Sequence, residues 1–157
     1  MNNLFLEKNQ VKQGLLLDLN GENRTTARVS IEKSQRIACI VSLASAAADF
    51  TIAFQQHILA AAGTPANLEI KLPYFKKIDD DTAFTKVAAP SSTAHTVTDD
   101  DANGAVAYYV FEFDADQLAE GRKYISATIT DPAAARLANV QFIAYGDNIA
   151  PMYDKVV

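Results

Sequence analysis

Tryptophan is absent from this 157-residue chain, cysteine occurs once, at Cys39, and histidine twice, at His57 and His95. A lone cysteine excludes an intrachain disulfide. Within the apolar run Ile37–Val41 it reads as a small buried hydrophobe rather than a nucleophile. Neither histidine falls in a recognisable nucleophile or zinc-ligand spacing, and no glycine-rich phosphate loop or Gly-x-Ser-x-Gly elbow occurs. No enzymatic activity and no cofactor are expected. Apolar runs fall far short of the roughly 18–20 residues that span a bilayer. The opening residues lack a basic start leading into a continuous apolar stretch, so no secretory signal is expected either. Lys76–Lys77 is followed, after Ile78, by three aspartates, and the net charge is −5. A nucleic acid needs several cations on one face, so neither DNA, RNA nor a membrane is an expected partner.

What the chain does have is β-forming sequence. Hydrophobic residues make up 49% and charged ones 21%, which places it among globular chains of one domain with a sizeable core. The most informative stretch is Ala105 to Asp114, AVAYYVFEFD, β-branched and aromatic throughout. An Asn103–Gly104 turn signal precedes it, and a helix-start signal, Asp114 with Gln117, follows it. Alternation puts Tyr109, Phe111 and Phe113 on a core face and Tyr108 on the other. Arg24 to Glu32 also alternates, with Ala27, Val29 and Ile31 on one side, as one half-buried strand. Gln35–Ala44 reads as a strand covered on both faces, and Lys123–Thr130 and Leu137–Tyr145 as two more. Leu68, Ile70 and Leu72 alternate up to Pro73. From Asp49 to Ala62 strand and helix periods both fit, since Phe50, Phe54, Ile58 and Ala61 share a helical face.

Together these predict an all-β, single-domain antiparallel β-sandwich, jelly-roll or immunoglobulin-like. It would have seven to eight strands and at most short helical turns. Residues 1–13 read as an N-terminal arm and 14–157 as the sandwich, with a long polar excursion near 79–104 carrying weak strands around 84–87 and 95–98.

Few constellations could carry chemistry. Asp99, Asp101, Asn103 and Gly104 match the first positions of a calcium loop, but position twelve is Val110, not a bidentate glutamate. An acidic hairpin tip is the expected reading, with calcium as the alternative. Glu112, Asp114 and Asp116 alternate like a glycosidase pair on a strand, yet the chain has no Trp to stack on a sugar. Candidate interaction residues are the apolar cluster Leu4, Phe5 and Leu6 on the arm, Tyr74 and Phe75 beside lysines, and outward-facing Tyr108.

The order of segments carries a resemblance. RTTARVSIEKSQRIACIVSLASAAADFTIAFQQ, then a polar loop, then YYVFEFDADQLAEGRKYISATIT and NVQFIAYGDNIAP is similar to small tailed-bacteriophage virion proteins of the capsid decoration, or cement, type. It extends over about residues 23–152, and its motifs are structural. The resemblance implies a homo-oligomeric β-sandwich on the capsid exterior, assembled in the host cytoplasm. Such a protein binds the major capsid protein and copies of itself, and stabilises the head. It also implies a strand over Phe50–Gln56 and a loop over Ile58–Asn67. The alternative is a virion-associated carbohydrate- or receptor-binding module of the same architecture.

Overall fold

The computed structural model describes residues 10–18, 23–32, 35–44, 50–78, 81–97, 106–130 and 137–145. Twelve strands occur among them: β1 Gln10–Asp18, β2 Arg24–Thr25, β3 Val29–Ser30, β4 Arg36–Ala44, β5 Phe50–His57, β6 Ala66–Leu68, β7 Tyr74–Ile78, β8 Thr85–Val87, β9 Ala94–Val97, β10 Ala107–Asp114, β11 Tyr124–Thr130 and β12 Leu137–Tyr145. A single 3₁₀ turn, Ala115–Gln117, is the one helical element among the described residues. The fold is an all-β sandwich of two antiparallel sheets.

One sheet runs β1-β12-β4-β10-β7-β8. The other runs β2-β11-β5-β6, with β3 sharing the β2 side of β11 and β9 pairing with β5. Lettered in chain order B to I, with β2 and β3 as C and with β6 and β9 as F, the sheets read BIDG and CHEF. That is jelly-roll connectivity, two interlocked Greek keys, and it decides between the two sandwich types expected. β7 and β8 extend the BIDG sheet beyond β10. They sit in an excursion that interrupts the F strand: Leu68 pairs with Phe54, and Ala94 takes the next place, opposite Ala53. The neck is closed by the Ile70 amide donating to the Ser92 carbonyl at 2.8 Å and the Ser91 amide donating to the Ile70 carbonyl at 3.2 Å. The weak strands expected near 84–87 and 95–98 are β8 and β9.

Why these residues form these strands follows from period-two burial. Along β5 and β10 every second side chain enters the core. Phe50, Ile52 and Phe54 of β5 meet Tyr109, Phe111 and Phe113 of β10 across the sandwich. Phe54 lies 5.2 Å from Phe111 and 4.7 Å from Phe113, ring centre to ring centre. The strand reading of Phe50–Gln56 therefore holds. A helix would have turned Ile52 away from this aromatic layer. Cys39 is fully buried in β4, and burial pushes its thiol far above the ordinary range, so it stays protonated and inert.

Four expectations change. Ala66 and Asn67, expected in a loop, belong to β6, which stops at Leu68 and does not run on to Leu72. β1 begins at Gln10, so residues 10–13, assigned to the arm, are strand. The register against β12 shifts between Gln13 and Leu15, making Gly14 the extra residue of a β-bulge. Residues 24–32 form two short strands, not one. Thr25 pairs with Thr128 but Val29 with Ile125, a slip of one residue. In consequence Thr26 is buried, its hydroxyl accepting from the Ala127 amide at 3.1 Å, while Ala27 faces water. Asp114 makes no capping hydrogen bond to the 3₁₀ turn. Its carboxylate pairs with Arg36 at 2.5 Å instead.

Candidate interaction surface

The outer face of the BIDG sheet is built from the residues that alternate with the core set. On β10 these are Tyr108, Val110, Glu112 and Asp114. Cross-strand register places Ile40 of β4 and Phe75 of β7 on either side of Val110, with Gln141 of β12 beyond Ile40. The next row sets Ser42 and Lys77 beside Tyr108, and Lys86 of β8 lies opposite Phe75. The result is an apolar band of Ile40, Val110, Phe75 and Tyr108 bordered by two lysines. Tyr108 keeps 36% of its surface in water, enough to contribute area to a contact without unfolding anything.

The other border is polar and internally satisfied. Arg36 lies between Asp114 and Tyr145 in register, and its guanidinium pairs with the Asp114 carboxylate. The Tyr145 hydroxyl donates to Glu112 at 2.5 Å. Burial first, then that hydrogen bond and the Glu112 charge, hold the Tyr145 phenol protonated, its pKa pushed up to about 12. Glu112 and Asp114 are thus tied to an aromatic hydroxyl and a guanidinium on the outer sheet face, and the 3₁₀ turn carries Asp116 out into solvent.

Of the sequence-derived candidates, Phe75 and Tyr108 are brought together on adjacent strands of one face. Tyr74 is a correction: it is 4% exposed and stacks on Phe111 at 5.2 Å. Neighbouring residues of a strand point opposite ways, so a Tyr-Phe pair delivers one ring to the core and one to the surface. Leu4, Phe5 and Leu6 lie outside the described residues, as does the Asp99–Gly104 turn. Ile40 and Val110 were missed as surface residues because both sit in strands that read as continuously apolar. The outward parity of Val110 was nonetheless available from Tyr109, whereas a strand read as covered on both faces gave none for Ile40.

The remaining titratable group of note is His57, buried at the end of β5. Its Nε2 hydrogen-bonds the Ser126 hydroxyl at 2.8 Å, and its Nδ1 has no hydrogen-bond partner. An acyl-transfer dyad needs an exposed serine oxygen and an acid orienting the far imidazole nitrogen; here Ser126 is 1% exposed. The pair ties β5 to β11. Burial, then the charges of Arg28 and Arg122, hold the His57 pKa below its usual value. The unfolded chain therefore takes up the proton first as pH falls. Stability is full above about 6.5, the unfolded value, and declines below it towards the lower folded value. The urea midpoint should fall between pH 7.5 and 5.5 by more in the wild type than in His57→Gln. Equal declines would remove His57 from the account.

No protein-family model matches this sequence, and no curated protein does. Among solved structures, the chain resembles the SPBc2 prophage-derived protein YomS at 9% identity, over 88% of this chain and 93% of that one, with a TM-score of 0.48. A chain of Broad Bean Stain Virus aligns at 12% identity over 96% and 90%, TM-score 0.30. A carbohydrate-binding module of Cellvibrio mixtus lichenase 5A, in complex with cellotriose, aligns at 11% over 89% and 88%, TM-score 0.26. The jelly-roll assignment stands on the strand register of this chain itself.

Proposed function

We propose that this chain is a non-enzymatic virion structural protein of a tailed bacteriophage, a decoration protein that binds the outside of the capsid lattice and reinforces it. The observation that carries the reading is the apolar band of Ile40, Val110, Phe75 and Tyr108, displayed on a sheet face backed by an aromatic core. A lattice-binding protein needs a surface of this kind rather than a pocket: rigid, so that little ordering is lost on contact, with aromatics at its centre. The segment-by-segment resemblance to small phage virion proteins supports the same reading. The net charge of −5 suits a protein that must stay soluble at high copy number. The band is small, so occupancy would draw on repeated contacts across the lattice and between copies. The major capsid protein is the proposed partner and the capsid exterior the proposed location.

The test uses heads assembled without the protein. Purified chain is added, the heads are pelleted, and the particles are imaged in negative stain. Stoichiometric co-sedimentation and added outer density are expected. Absence of binding to heads, together with binding to soluble glycans, would replace this reading with that of a sugar-recognition module.

A further inference from the structure

The apolar band on the BIDG sheet cannot be covered without covering two ammonium groups. Residues directly opposite each other on antiparallel strands set their Cβ atoms roughly 5 Å apart on the same side of the sheet. Lys77 stands opposite Tyr108, and Lys86 opposite Phe75, so each outward ring has a lysine as its neighbour. Phe84, one residue before β8, adds a ring 49% exposed at the same corner.

Among the described residues these lysines are the unmatched charges of the face. At its opposite corner Arg36 pairs with Asp114, and Glu112 accepts from the Tyr145 hydroxyl. No described carboxylate lies within 4.0 Å of Lys77 or Lys86. Asp81, the described acid nearest to Lys77 in sequence, accepts from the Ile78 amide at 3.0 Å and so closes the hairpin turn. The whole chain leans the other way, with 19 acidic residues against 14 basic ones. This corner is locally basic on an acidic protein.

That placement dictates what a partner must bring. Taking an ammonium out of water without a counter-charge costs as much as burying a neighbouring ring returns, or more. A nucleic acid does not fit: two cations are too few, and a phosphate backbone would leave Ile40 and Val110 without apolar cover. We infer that the band is met by an acidic protein surface, one with apolar side chains over Ile40, Val110 and Phe75 and carboxylates facing Lys77 and Lys86. The inference rests on the reading of this face as the one that grips the head.

The experiment titrates heads assembled without the chain with full-length variants, at about 50 and about 500 mM NaCl, and measures the bound fraction by co-sedimentation. Lys77→Gln/Lys86→Gln should bind about tenfold more weakly than wild type at low salt, with most of the wild type's salt dependence gone. Lys77→Arg/Lys86→Arg keeps both charges and should stay within about threefold of wild type. Phe75→Ala/Tyr108→Ala reports on the face itself. If this aromatic pair weakens binding while the glutamine pair binds like wild type, the partner is not acidic and the inference falls, though the face stands as the contact. An arginine pair as weak as the glutamine pair would also overturn it, since shape and not charge would then be at work. If neither the aromatic nor the glutamine pair weakens binding, or wild type itself does not bind, the inference and the reading beneath it both fall.

Discussion

Phe54→Ala should cost about 3–5 kcal/mol of folding stability. Phe54 is fully buried, and its ring is held between Phe111 and Phe113 of the opposite sheet. Deleting it removes the transfer energy of the ring and leaves a void that β10 cannot fill. That strand is fixed on both sides, by β4 over eight residue pairs and by β7 over four. For a domain of this size the loss corresponds to a melting decrease on the order of 10 °C. Urea unfolding of wild type and variant at pH 7.5 measures it. A cost under 1 kcal/mol would mean the two sheets do not meet at Phe54.

Replacing both Phe75 and Tyr108 by aspartate should weaken capsid binding about 100-fold or more, with the urea midpoint little changed. Aromatics at the centre of an interface each contribute about 2 kcal/mol or more, some thirtyfold in affinity. Burying a new carboxylate against a partner adds a desolvation cost. Tyr108 already reaches water and Phe75 sits on the outer face, so charge there does not enter the core. The contrast with Phe54→Ala is diagnostic: one variant unfolds without a binding defect of its own, the other stays folded and detaches. Undiminished binding by the folded double variant would mean that the capsid-contacting surface lies elsewhere.

Much of this was legible in the residues. The inward set Tyr109, Phe111 and Phe113 and the outward Tyr108 follow from the two-residue period of a strand, and so does the buried Cys39. β5 was legible only with help, because Phe50, Phe54 and Ile58 satisfy helical spacing as well. What settles it is packing against β10, more than fifty residues away in the chain. Bulges were not legible. A one-residue slip near Thr26 reverses which side chains are buried, and nothing in TTARV marks it, since threonine and alanine are tolerated on either face. The interaction surface was half-legible for a related reason. A strand central in its sheet reads as apolar on both faces, which hides Ile40 and Val110 among true core residues. Tyr74 was misplaced because aromatics beside lysines suggest a rim, whereas only one of two neighbouring rings can face outward.

The F strand is broken after Leu68 and resumed at Ala94, so the β7–β8 hairpin is a detour inside one strand of the jelly roll. Its stem is stitched at Ile70 and Ser92, its flank pairs with β10, and its Tyr74 enters the core against Phe111, so an insertion has become part of what braces β10. Whatever loosens that detour at its neck would therefore loosen Phe75, and with it the surface proposed to grip the particle.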